Sequence, residues 1–391
     1  MHARQRFADA LHIPSEWLGI GSHDHRDATD ITGDPVTDLA HLGRTDVDRR
    51  GFITSAYRLL PLALAPPAPT QRARTHADPE PTRTYGQAEV TTVREITEAF
   101  RRADERLGGG TGRTTIAEYL ATDATAYLRG RAATLHVRAQ MFSAVAEMAR
   151  LCGWKAHDQG LEGLAQRYYQ HAWQLAHDAD PAHAAFLLRL MAHQAIDLGH
   201  SDHAVQLAEA AIAAGRGRTD TATLGQLHLA AARAHAAAGH PRAARAALTH
   251  AEHHISAHTD GAERPWWASA MGDPQPLLTT HTAKTLAALG DPAAHRHLTD
   301  AATRWDPDRY PRVRALNLCD LGDYHAARGD LDHACDAWNQ ALHLLQSVTS
   351  ARARTAVTRI RAALTPHVRA GSPAAHTHDL AAQWLTTKPA H

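Results

Sequence analysis

LCGWKAHDQGLEGLAQRYYQHAWQLAHDADP, residues 151–181, decides how the rest of the chain is read. Gly160 is followed there by Ala165, Tyr169 and Ala172. The same order recurs as Gly199, Ala204, Ala208, Ala211, as Gly239, Ala244, Leu248, Ala251, and as Gly329, Ala334, Trp338, Ala341. A weaker copy runs Gly290, His295, Thr299, Ala302, with a polar residue at the first alanine position. Successive glycines lie 39, 40, 51 and 39 residues apart, and a small residue precedes each by seven: Gly153, Ala192, Ala232, Ala283 and Gly322. Small residues let paired helices approach closely, the third position fills the gap between neighbouring pairs, and glycine at the turn supplies the left-handed conformation that reverses the chain. The pattern is that of a repeated helix-turn-helix unit.

The rest of the sequence agrees. Val90–Leu107 spaces apolar residues three and four apart and stops at Gly108-Gly109-Gly110, and a second helix is expected from Thr114 to Leu128. From Ala132 onward helical patterns are punctuated by Gly, Asp-Pro or His-Pro, without strand-like alternation. The apolar set is dominated by alanine, aromatics are only 5%, and three lysines (Lys155, Lys284, Lys388) stand among mostly arginine cations. Such a composition favours helices packed on small residues over a β-sandwich.

The expected fold class is therefore all-α: a tetratricopeptide-like (TPR) right-handed superhelix of antiparallel helix pairs, its unit stretched beyond the usual length of about 34 residues. A poorly structured N-terminal segment and linker precede it. Residues 1–20 (MHARQRFADALHIPSEWLGI) read as a short amphipathic helix ending near Pro14, and 21–87 as loop and Pro-rich linker (PLALAPPAPTQRARTHADPEP, 61–81). Residues 88–370 form the repeat domain, and 371–391 a flexible tail in which AAQWL offers an alternative as a docked cap.

Forty-one basic and 41 acidic side chains cancel, which argues against a dedicated nucleic-acid binder. Cys152, Cys319 and Cys335 cannot build a disulfide framework and fit a reducing, cytoplasmic compartment as small packing residues. No apolar run is long enough for a membrane span, and DRRGF (48–52) before LLPLALAPPAP only superficially resembles a twin-arginine signal, since Arg58 interrupts the stretch.

Residues 151–181, together with LMAHQAIDLGHSDHAVQLAEAA (190–211), resemble the TPR-type sensory half of actinobacterial Cro/C1 (XRE)-class transcriptional regulators. DRRGF, the Pro-rich linker, EVTTVREITEAFRRADERLGGG (89–110) and LRGR (128–131) extend the resemblance. In that family an N-terminal helix-turn-helix reads operator DNA; here only Arg4–Ile20 resembles the last helix of such a module, a remnant of it. The resemblance implies regulation of gene expression, with DNA contacted only if a helix-turn-helix comes from an upstream extension or a partner.

Signatures of catalysis are missing from the sequence. Neither HExxH, CxxC nor GxSxG occurs, and Gly108–Arg113 lacks the Lys-Ser/Thr ending and preceding strand of a phosphate loop. Histidines are numerous, 31 in all, so pairs such as His200 and His203, His295 and His297, or the group His250, His253, His254 and His258 are expected by coincidence. The expectation is no enzyme, no cofactor and no metal.

In stacked helix pairs the first helix of each lines the concave face. This places Glu147, Arg150, Trp154, His157 and Asp158 inward in the first repeat, Arg189, His193 and Asp197 in the second, Gln226 and Arg233 in the third, Lys284 in the fourth and Asp323 in the fifth. Arginines beside aspartates with one tryptophan suit a peptide or a polar metabolite. Trp266 and Trp267 lie in the long insertion, where one of them could rim the groove or cap the array. The leading reading is a cytosolic regulator whose groove binds a peptide, small signal or protein partner, with no membrane and with a homodimer compatible. An interaction scaffold without a small ligand and a histidine-based metal enzyme are the alternatives.

Overall fold

The structure, a computed structural model, describes residues 34–47, 57, 83–258 and 264–388. The expectations for residues 1–20, DRRGF and the Pro-rich stretch fall outside them. The first described element corrects the loop reading of 21–87. Residues Pro35–Val47 form helix α1, with Leu39 and Ala40 wholly buried and Val36 and Leu42 nearly so. The Asp/Gly/Thr-rich composition concealed this spacing. Its Asp46 is also buried, held by Arg113 and by the Tyr168 hydroxyl at 3.0 Å.

Gln87–Leu107 is α2, as its periodicity predicts. The expected second helix is α3 (Arg113–Tyr119) and α4 (Thr125–Arg129), joined through a wider turn of π-helix at Leu120–Ala124. One departure from pure helix occurs here: Thr84–Tyr85 (β1) pairs in parallel with Arg131–Ala132 (β2).

The repeats follow as α5 (Leu135–Asp158) with α6 (Glu162–Ala179), α7 (Pro181–Asp197) with α8 (Ser201–Gly215), and α9 (Thr221–Ala237) with α10 (Pro241–Ser256). After the insertion come α11 (Pro274–Ala288) with α12 (Ala294–Arg304), α13 (Pro311–Ala326) with α14 (Leu331–Leu344), and α15 (Ala351–Leu364) with α16 (Pro373–Thr387). The five repeat glycines, 160, 199, 239, 290 and 329, all have positive φ, between 66° and 79°. The short turns they allow bring each pair into antiparallel contact.

The packing positions behave as the pattern requires in four units. Ala165, Ala172, Ala204, Ala208, Ala211, Ala244, Ala251, Ala334 and Ala341 are all fully buried. In the first and fifth units the bulky third residue sits directly on the preceding glycine. A methyl on Gly153 would lie 2.7 Å from the Tyr169 ring, and one on Gly322 would overlap the Trp338 indole. The weak fourth unit is explained differently from the sequence reading. Ala302 is buried as expected, but the other buried residues, Ala294, Leu298 and Ala301, each lie one position earlier than the pattern places them, while His295 and Thr299 are exposed. The turn has lost one residue; the packing position has not become polar.

The flexible tail is likewise corrected up to residue 387. Ser372 caps α16 by accepting from the Ala375 amide, Ala381 and Trp384 are buried, and Trp384 donates to the Leu345 carbonyl at 3.1 Å. AAQWL, within α16, packs into the core formed with α14 and α15. Cys152, Cys319 and Cys335 are buried and unbridged, and burial pushes their thiols up from the ordinary value. No helix among the described residues is long and apolar enough to cross a membrane.

Gly322→Ala should destabilise the chain by about 1–3 kcal/mol in urea unfolding, because the added methyl must displace Trp338. Combining it with Trp338→Leu should cost less than the sum of the two single changes, whereas strict additivity would mean that the two residues do not share a packing site.

Candidate functional site

The array returns to its own beginning. Arg312, on α13, is 3% exposed and donates at 2.8 Å to both Asp104 of α2 and Asp158 of α5. Asp158 also accepts from Ser350 at 2.9 Å and from the Gly109 amide at 2.8 Å. Trp154 donates to Asp104 at 3.1 Å, and fully buried Lys155 reaches the Thr111 carbonyl at 2.8 Å. Burial acts to raise the Asp104 pKa, but Arg312 and Lys155 outweigh it and hold the carboxyl below its usual value. One backbone bond completes the junction, from the Thr349 amide to the Leu107 carbonyl at 2.8 Å. A side chain on Gly108 would strike the Thr349 carbonyl, so the Gly108-Gly109-Gly110 run stops α2 and also admits this close approach.

The insertion closes a second side. Trp267 is 1% exposed, donates to Asp180 at 2.9 Å, and stacks on His183 and Phe186 with ring centroids 5.0 and 5.6 Å away. Trp267 and Ala268 thereby belong to the core built by the N-terminal helices. Trp266 faces Arg94 of α2, whose guanidinium lies 4.7 Å from its ring. The two adjacent tryptophans thus serve different neighbours, and both tie the insertion back to the start of the array.

Inside this closure lies a cavity of about 200 Å³. Its helical walls come from α2 and from the first helix of every pair, α5, α7, α9, α11, α13 and α15. Of the inward positions expected from the sequence, Arg150, Trp154, Arg189, His193, Asp197, Arg233 and Lys284 are brought together on its wall. The others fall behind it. Glu147 is 1% exposed and accepts from Arg150 at 2.7 Å, with His183 at 3.1 Å. His157 lies between Glu162 (2.8 Å) and Asp197 (3.3 Å), Asp158 belongs to the Arg312 junction, and Gln226 is fully buried with its carbonyl facing Arg189. Asp323 lines a separate depression with Lys284 and Asp320, and pairs with Arg359.

Sequence reasoning did not place Arg101, Asp104 and Glu105 of α2, His281 of α11, Arg312 of α13, Arg352 of α15, or the apolar group Leu277, Trp305, Val313 and Leu316 at this site. The α11 and α13 residues sit on first helices of pairs, where extending the inward reading would have reached them. The α2 and α15 contributions depend on closure, for which the repeat itself carries no signal.

Seven cationic side chains and three carboxylates line the cavity. Most cations are paired. Arg101 holds Glu98 and Glu105, Arg312 holds Asp104 and Asp158, Arg352 reaches Asp197 at 3.3 Å, and Lys284 holds Asp320. Arg233 contacts His193 at 2.8 Å and Asp197 at 3.5 Å. Arg189 differs. It is 5% exposed and donates to the Gln226 carbonyl at 3.3 Å, and among the described residues no carboxylate oxygen lies within 4.0 Å of it. Burial, then the neighbouring Arg233, bring its pKa down to about 10, which leaves it charged at neutral pH. One Arg150 Nη and His281 Nδ1 are also buried without a partner. His193 and His281, 5.5 Å apart, are kept neutral by burial and then by the arginines around them.

The histidine groups noted in the sequence do not gather as ligands. His228 stacks on His250 and His254 at the surface, and His200 on Tyr57. A different trio, His325, Asp330 and His333, brings its ligand atoms within 4.8 Å of one another. Capping accounts for it: Asp330 starts α14, and both histidines lie against its carboxylate.

Comparison of the chain with family models, with curated proteins and with solved structures finds no match.

Arg312→Met should cost about 3–5 kcal/mol in urea unfolding, since it leaves Asp104 and Asp158 buried without their counter-charge. A second expectation concerns pH. Burial works to lower the His157 pKa, but its bonds to Asp197 and Glu162 prevail and raise it. The folded state then binds more protons than the unfolded one. Its stabilisation is fully present below the ordinary value of about 6.5 and is lost as pH rises through the folded value. The Tm difference between wild type and His157→Gln should therefore shrink on going alkaline; a difference that grows with pH would contradict the assignment.

Proposed function

We propose that this chain is a regulatory sensor that encloses a small signal molecule at the centre of a TPR-like helical array and thereby controls gene expression in the cytoplasm. The cavity between the helices carries the reading. It is walled by the first helix of each pair and holds buried polar groups without protein partners. Such groups carry a desolvation cost that a bound molecule can offset. At about 200 Å³ it is too small for an extended peptide, which favours the small signal over the peptide. The regulatory part rests on the sequence resemblance to XRE-class sensory halves, with DNA reached through a helix-turn-helix supplied by another segment or a partner. In a repeat array each unit touches its neighbours, so occupancy of a site shared by six pairs would bias the arrangement of the whole array.

Calorimetry of the purified chain against size-separated cell extract tests this. A low-molecular-weight fraction should bind, and Arg150→Ala and Arg189→Ala should each weaken it by about tenfold or more. Binding confined to the macromolecular fraction would make the protein an interaction scaffold instead. Equal binding by both variants would place the ligand elsewhere.

A further inference from the structure

We propose that the cavity's ligand is a small amphiphilic organic acid, whose anionic head is the missing partner of Arg189 and whose apolar body lies against Leu277, Trp305, Val313 and Leu316. This rests on the small-signal reading above and specifies its chemistry. A buried guanidinium without a carboxylate is costly, and it persists where a partner of opposite charge completes it. Arg189 is such a group, with a second cation beside it and the Arg150 and His281 nitrogens unpaired on the same wall. Every other cation there has a carboxylate within 4.0 Å: Arg101 and Arg312 have two each, Arg150 has Glu147, Lys284 has Asp320, and Arg233 and Arg352 share Asp197. Among the described residues, Arg189 is thus the lining cation with no carboxylate within 4.0 Å, beside an Arg233 that shares Asp197 with Arg352.

The apolar part of the lining limits what else the ligand carries. Leu277 and Trp305 are 9% and 5% exposed, and the Trp305 indole NH is already satisfied by Thr280 at 2.9 Å, so this face offers contact area without donors. An apolar cavity of 150 Å³ accommodates benzene, so this one takes a molecule of roughly ten non-hydrogen atoms. A planar guanidinium fork matches a carboxylate or a phosphate monoester equally in sign; the former is matched edge to edge.

The probes are phenylacetate, phenyl phosphate and the uncharged isostere phenylacetamide, each at up to about 10 mM and at constant ionic strength with chloride as the balancing anion. Tm and the tryptophan fluorescence, to which Trp154 and Trp305 contribute, are read. At least one acid should raise Tm with saturation and change the fluorescence, with the two acids distinguishing a carboxylate from a phosphate head. Phenylacetamide should do neither. Arg189→Met should be as stable as wild type or more so without ligand, because a desolvated charge is removed, and should not respond to either acid. Arg189→Lys, which keeps the charge but not the fork, should bind about tenfold more weakly.

Several results would overturn the inference. An amide as effective as the acids, or an Arg189→Met variant that responds like wild type, would show a ligand that is not recognised as an anion. Silence of both acids over this range would reject an acid of this size. A ligand-free Arg189→Met less stable than wild type would show that Arg189 already has its partner. In each case the small-signal reading stands or falls separately, by whether the low-molecular-weight extract fraction binds.

Discussion

Arg312 joins two carboxylates that lie 208 and 154 residues earlier in the chain, and the rest of the architecture depends on that junction. Stacked helix pairs have no inherent reason to meet end to end, since each unit needs only its neighbours. Here α13 and the segment before α15 are tied to α2 and α5 by a buried network of Asp104, Asp158, Lys155, Ser350 and Trp154. Every charge in it is paired, which makes burial tolerable; removing one partner would leave the others desolvated. An open array would present a groove, but this closed one presents a cavity.

Closure also sorts the inward-facing polar residues into two kinds. Asp158, Glu147 and His157 belong to pairs that hold the helices in register. Arg189, on the first helix of the next pair, has no carboxylate partner among the described residues and lines the space between the helices. The same sequence position in successive repeats therefore carries different duties: Arg150 and Arg189 both stand ten residues before their repeat glycine, yet Arg150 has Glu147, whereas Arg189 has a backbone carbonyl and the Phe186 ring but no carboxylate. That asymmetry separates a structural ion pair from the position proposed to bind the ligand.

The repeat was legible because it is local. Glycine at the turn and small residues at fixed offsets determine helix pairing within about forty residues, and the positive φ of Gly160, Gly199, Gly239, Gly290 and Gly329 follows from the same chemistry. The fourth unit was misjudged because a shortened turn moves the packing positions without changing their composition. Helix α1 was missed since Asp, Gly and Thr dominate its flanks while four apolar residues carry its buried face. Seven of the cavity's lining residues were legible for the same local reason, as the first helices of pairs must face inward. The remainder depended on contacts such as Asp104 to Arg312 and Trp267 to Asp180, where neither partner differs in sequence from an ordinary surface charge or a capping aromatic.

The claim that the array is closed is tested most directly at the Thr349 amide, whose bond to Leu107 joins the segment before α15 to α2. Native-state hydrogen exchange resolved to single residues measures its opening. If the junction is part of the folded unit, Thr349 exchanges with the slowest amides of the α5 core, through the same global opening. Exchange of Thr349 at the rate of a free loop, while α5 remains protected, would show an open array and remove the cavity on which the functional reading stands.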